Sequence, residues 1–200
     1  MPMHDGGEYA EAWRRIFERR GSAPPGPAST LGIVGTSRRD GNTAMLADAV
    51  FRRLPSSRLA NLADFSVAPY DYDHRHGADD FIPLARLMAE AKTIVFATPV
   101  YWYAMSAQMK AFVDRLSDLT ETHKPLGRAL AARTVFVIAT STYGMPAYFE
   151  RPFAQTADYF DMRWGGVLHE RFDEDRVMTP DMAMRANAFA LHIKASEGRA

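Results

Sequence analysis

Three short stretches carry residue types suited to holding a ligand. The first, Thr36-Ser37-Arg38-Arg39-Asp40-Gly41-Asn42-Thr43, follows an apolar run and precedes an amphipathic one. Hydroxyls, an amide, a glycine and cations at a helix N-terminus make an anion site, because the first-turn N–H groups and the helix dipole both favour negative charge. Ser37, Asn42 and Thr43 can donate hydrogen bonds to a phosphate, and Arg38 or Arg39 supplies charge. The same residues also make an ordinary strand-to-helix turn with Asn42 as the cap. The stretch lacks the further glycines of a dinucleotide fingerprint and the Gly-Lys-Ser/Thr of a Walker loop.

The second stretch, Thr98-Pro99-Val100-Tyr101-Trp102-Tyr103, leaves the end of a strongly apolar run. Pro99 delays the next helix and holds an extended turn. Three consecutive aromatics then stand where a loop is normally polar. A flat aromatic ligand packed by these rings explains them; an oligomer contact or a loop-anchoring plug does so too. The third stretch, Thr140-Ser141-Thr142-Tyr143-Gly144-Met145-Pro146, again follows an apolar run, and Gly144 permits close backbone approach to a ligand edge.

Other chemistry-bearing residues read as structural. His74 and His76 beside Asp71 and Asp73 have no second ligand group at metal-site spacing, so they read as a solvated loop. Lys110, Asp114 and Arg115 read as surface charges with a local ion pair. Met178, Met182 and Met184 read as core filling.

Alternating apolar runs and helical stripes position the three stretches. Residues 31–35, 57–62, 93–98, 134–139 and a short segment near Val167 read as strands. Helices are expected over 42–54, from Asp79 or Asp80 to Ala91, from Ser106 through Leu119, over 147–162 and over 181–195. Strands apolar on both faces, separated by amphipathic helices, indicate a parallel sheet covered on both sides, with its ligand outside the strands' carboxyl ends. Before this domain, residues 8–20 place Tyr9, Trp13, Ile16 and Phe17 at helical spacing, and residues 22–29 are rich in proline and glycine. The chain thus divides into an N-terminal amphipathic helix and linker, 1–28, and one α/β domain, 29–200.

Composition narrows the chemistry. The 24 Lys+Arg balance the 24 Asp+Glu, so no long-range field favours nucleic acid or an anionic membrane. The absence of cysteine excludes disulfides, thiolate nucleophiles and cysteine-ligated clusters. No run has signal-peptide character or the length of a membrane span, so a cytoplasmic protein without membrane insertion is expected.

The loop from Gly35 to Thr43 resembles that of NADPH-dependent FMN reductases. So do the stretch from Ala97 to Leu116 and the later order Tyr143-Gly144, Pro152-Phe153, Trp164-Gly165-Gly166. The resemblance covers about residues 30–170. It implies a flavodoxin-like three-layer sandwich with a five-stranded parallel sheet of order 2-1-3-4-5, and bound FMN with NADPH or NADH as co-substrate. Carried over by position, it implies phosphate contacts from Ser37, Arg39, Asn42 and Thr43. It implies flavin-ring contacts from Pro99, Val100, Tyr101, Trp102 and Tyr103, with Ser141, Tyr143 and Gly144 closing the other side. The implied activity is electron transfer from a reduced nicotinamide through FMN to a small acceptor (quinone, nitro, azo or free flavin) in a homodimer or homotetramer. The alternative is an FMN-binding electron carrier or redox-sensing protein without nicotinamide turnover. The pattern comes near iron–sulfur flavoproteins, but the segment 68–76, where those carry cluster cysteines, has none. No acid–base residue stands out.

Overall fold

The computed structural model describes residues 28–198. The amphipathic helix and the linker expected over 1–28 lie outside the described residues, apart from the last position. Five strands, β1 (Thr30–Val34), β2 (Ser57–Asn61), β3 (Thr93–Pro99), β4 (Thr134–Ser141) and β5 (Arg163–Arg171), form one parallel sheet of order β2-β1-β3-β4-β5. This is the flavodoxin-like order that the resemblance implies. The helices are α1 (Asn42–Phe51), α2 (Phe81–Glu90), α3 (Ala107–Asp114), α4 (Asp118–Glu121), α5 (Lys124–Arg128), α6 (Arg151–Tyr159) and α7 (Pro180–Glu197). Among the described residues, no helix is long and apolar enough to cross a membrane.

The central strands explain the layering. Side chains alternate across a strand, and in β3 Ile94 and Phe96 enter one core while Val95 and Ala97 enter the other. The first core receives α2, α3 and α6 through Phe81, Leu84, Met88, Phe112 and Phe153. Its aromatics form a continuous cluster, with Phe81–Phe112 ring centroids 5.4 Å apart and Phe96–Phe153 5.8 Å apart. The second core receives α1 and α7 through Leu46, Val50, Ala186 and Ile193. Burial on both faces selects continuous apolar strands, which is why β1, β3 and β4 are conspicuous in the sequence.

Several helices are shorter than expected. The helix expected from Ser106 ends at Asp114 and continues as a 3-10 turn, Arg115–Ser117, before α4. The helix expected from 147 starts at Arg151, because Tyr148 takes a left-handed φ of 69° and residues 143–150 form loop instead. Met182 packs into the second core, whereas Met184 is exposed on the outer face of α7 and fills no core.

Two charged residues depart from the surface reading. Lys110 and Asp114 do form an exposed ion pair. Arg115, however, is only 2% exposed, and its guanidinium binds Asp79, Asp118 (Nε–Oδ2 2.7 Å) and the Ala68 carbonyl (3.2 Å) above the Phe81 ring. His74 is half-buried rather than solvated, with its two ring nitrogens each 3.0 Å from a carboxylate, Asp118 and Glu121. These contacts tie the 65–80 segment to α4.

Ser106 holds α3 against the end of β1. Its buried Oγ donates to the Gly35 carbonyl (2.7 Å) and accepts from Met109 N–H (3.1 Å). Gly35 is required there, since a Cβ would lie 2.8 Å from Met109 Cβ and 2.9 Å from its backbone nitrogen. Ser106→Ala removes a helix cap and strands a buried carbonyl, so urea denaturation should show a loss of about 2 kcal/mol. A loss under about 0.5 kcal/mol would mean that water replaces the hydroxyl without cost.

Candidate functional site

The carboxyl ends of β1, β3 and β4 open into a cleft of about 820 Å³, a volume suited to a nucleotide-sized molecule. Its position follows from topology: β1 and β3 are neighbours whose connections leave for opposite faces of the sheet, and the loops part between them.

One end is the loop between β1 and α1. The N-cap of α1 is Gly41, which offers no side-chain oxygen, so the first-turn N–H groups are left for a ligand. Asn42 lines the cleft and does not cap the helix; its Oδ1 is buried with no hydrogen-bond partner among the described residues. Thr43 Oγ1 lies 2.6 Å from Thr140 Oγ1, joining α1 to the end of β4. Ser37 Oγ is 3.2 Å from the Tyr101 hydroxyl, joining this loop to the aromatic one. Arg38 lines the cleft and its guanidinium has no ion-pair partner among the described residues.

Arg39, the cation expected at a phosphate, is placed elsewhere. Its guanidinium pairs with Asp64 and donates to the Ala63 carbonyl (3.1 Å), both just beyond β2. The chain turns at Arg38–Gly41, and the segment after β2 supplies a carboxylate to Arg39. Of the two arginines, Arg38 lines the cleft.

The other end is built by the loops after β3 and β4. Pro99 is the last residue of β3, paired with Thr140, and Val100 N–H donates to the Thr140 carbonyl (2.8 Å). Tyr101 and Ala104 then exchange backbone hydrogen bonds of 2.9 and 3.1 Å around a two-residue turn. Trp102 and Tyr103, its central residues, both have left-handed φ, 48° and 67°. Such a turn ordinarily takes Asn-Gly, so two bulky aromatics there store strain of roughly 1–3 kcal/mol each. Trp102 is 92% and Tyr103 76% exposed, and on the facing loop Tyr143 is 95% exposed. Gly144 has φ 121°, which bends that loop back so that its N–H donates to Ser141 Oγ (2.9 Å).

Eleven of the twelve expected contact residues thus line one cleft: Ser37, Asn42, Thr43, Pro99, Val100, Tyr101, Trp102, Tyr103, Ser141, Tyr143 and Gly144. Arg176, in the loop between β5 and α7, also lines it and was not foreseen. Nothing local in the acidic run Asp173-Glu174-Asp175 marks its neighbour as a ligand residue. His169 on β5, half-buried, places Nε2 2.8 Å from Ser141 Oγ. Burial pushes its pKa below the ordinary histidine value, partly opposed by the Glu170 carboxylate. The arrangement offers an anion pocket at one end and an aromatic slot with backbone and hydroxyl donors at the other.

A family model described as NADPH-dependent FMN reductase matches residues 28–148. An iron-sulfur flavoprotein of Archaeoglobus fulgidus is 29% identical over 120 residues, 54% of this chain and 54% of that protein. A Bacillus subtilis protein named as an NAD(P)H-dependent FMN-containing oxidoreductase, YwqN, is 29% identical over 115 residues, 54% of this chain and 63% of that protein. The chain therefore spans little more than half the length of these curated relatives. A flavodoxin, WrbA-like protein of Agrobacterium tumefaciens shares the fold at a TM-score of 0.61 and 14% identity, covering 86% of this chain and 98% of that one.

Proposed function

The chain belongs to the NADPH-dependent FMN reductase family, and from that premise we propose that it is an FMN-dependent NAD(P)H oxidoreductase acting on a small acceptor such as a quinone, nitro or azo compound or free flavin. A single cleft that joins an uncapped helix N-terminus to a strained aromatic turn carries this reading. The first suits a phosphate and the second a flat ring. The orphaned Asn42 Oδ1 supports it, being an acceptor that awaits a hydroxyl or N–H donor from a ligand.

Bound FMN would supply the two-electron chemistry, and the chain supplies binding, orientation and electrostatics. Ser37, Arg38, Asn42, Thr43 and the α1 N-terminus would hold the phosphate. Pro99 to Tyr103 would form one wall of the ring slot, and Ser141, Tyr143 and Gly144 the other. A homodimer or homotetramer in the cytoplasm is part of the proposal, and the exposed rings of Trp102 and Tyr143 are where a second copy would cover the slot.

The test is the visible spectrum of the purified chain after FMN addition and desalting, followed anaerobically with NADPH and then NADH. A retained flavin band that bleaches is the expected result. A band that neither nucleotide bleaches would make the protein an electron carrier. No retained band would overturn the flavoprotein reading.

A further inference from the structure

One hydroxyl in the cleft has its hydrogen bonding controlled from outside it. Ser141 Oγ, at the end of β4, accepts from Gly144 N–H (2.9 Å) and lies 2.8 Å from His169 Nε2 on β5. Ser141 and Gly144 line the cleft, whereas His169 stands behind them. A hydroxyl has one proton to donate and two lone pairs to offer. Gly144 uses one lone pair. If Nε2 carries a proton it uses the other, and the serine proton is then left only for an acceptor in the cleft. If Nε2 is bare, Ser141 gives its proton to the imidazole and presents the cleft with an acceptor site alone. The protonation of one ring nitrogen thus sets the polarity that Ser141 shows to a ligand.

The neutral ring can take either arrangement, and the charged ring only the first. His169 Nδ1 meets no hydrogen-bond partner among the described residues. Nδ1 is not fully buried, so water can serve it in either tautomer. The carboxylate recorded near the ring, Glu170, lies on the same strand and is clamped by Arg185 from α7 (2.6 and 2.7 Å). The facing strand contributes Ala139, in register with His169, and Ser141 itself.

We propose that His169 is a positioning residue that, by donating from Nε2, holds the Ser141 hydroxyl as a hydrogen-bond donor to an acceptor atom on the edge of the ring bound against the 141–144 turn. The proposal rests on the FMN reading above. It makes Ser141 a specificity determinant for rings with a carbonyl or imine edge. It also couples ligand affinity to His169, because a charged imidazole can only donate.

Riboflavin is the probe, since the phosphate of FMN ionises in the same pH range as histidine. Its dissociation constant is measured by fluorescence quenching for the unaltered chain, Ser141→Ala, His169→Phe and His169→Gln between pH 5.5 and 8.5, roughly two units about the ordinary histidine value. Ser141→Ala and His169→Phe should each weaken binding about three- to tenfold. His169→Gln, whose amide N–H₂ replaces the Nε2 donor, should stay within about twofold. Affinity should rise as pH falls through the His169 titration, and this slope should vanish in His169→Phe. In NMR titrations of the imidazole, riboflavin should raise the His169 pKa, but not in Ser141→Ala.

Unchanged affinities and parallel pH profiles in all three variants would overturn the proposal while leaving the FMN reading intact. His169→Gln as weak as Ser141→Ala would overturn it too. Failure of the unaltered chain to bind either FMN or riboflavin would instead remove the FMN reading, and this inference with it. Should His169→Phe not fold, Ser141→Ala, His169→Gln and the NMR shift decide the matter.

Discussion

Arg115→Met should lower the unfolding free energy by about 3–5 kcal/mol, the largest loss expected from any single change described above. The reason is asymmetry. The guanidinium, 3% exposed as a side chain, is held between Asp79 at 10% and Asp118 at 8%. Removing it leaves two nearly buried carboxylates facing each other without the cation that made their burial tolerable. Urea denaturation reads the loss. Adding Asp118→Asn to Arg115→Met should recover part of the loss, because one stranded charge is gone. A loss of less than about 1 kcal/mol would mean that the guanidinium contributes no more than an exposed ion pair.

Arg38→Ala should weaken FMN binding roughly ten- to a hundredfold and leave riboflavin within twofold, the range for charge-assisted hydrogen bonds to a phosphate. Arg39→Ala should leave both within about twofold, since that side chain already serves Asp64 and the Ala63 carbonyl. The comparison isolates the phosphate end of the cleft, because only FMN carries a phosphate. Raising salt should erode the advantage of FMN over riboflavin in the unaltered chain and much less in Arg38→Ala. Calorimetry or fluorescence titration with both ligands suffices. A phosphate-specific loss in Arg39→Ala instead of Arg38→Ala would reverse the assignment of the two arginines and show that the Asp64 pair opens for the ligand.

Both predictions fall on residues whose roles the sequence leaves ambiguous. Arg38 and Arg39 are chemically identical neighbours in one loop. What separates them is the β1–β2 pairing, which brings Asp64 from 25 positions away beside one of them. Arg115 sits among Lys110 and Asp114 and has the spacing of a surface charge. Its main partner, Asp79, is 36 positions away and meets it only when the 65–80 segment folds over α4. Arg176 and His169 are lone residues in unremarkable local sequence, and each acquires meaning from the loop or strand that arrives next to it.

The parts read correctly from sequence are those governed by local physics. Strands buried on both faces must be continuously apolar, so β1, β3 and β4 announce themselves, and the helical stripes between them dictate a parallel sheet with helices on both sides. The three loops at its carboxyl edge then share one side of the molecule whatever their lengths. Thus the residue types alone determine an α/β sandwich with a phosphate-like loop, an aromatic loop and a glycine-bearing loop facing one cleft. Which arginine enters that cleft, which serine is backed by a histidine, and which charge is buried depend on groups far apart in the chain. Side-chain direction and pairing of this kind exist only once the strands have found their neighbours, because the energy of a charge or a hydroxyl is set by what lies within a few ångströms of it in space.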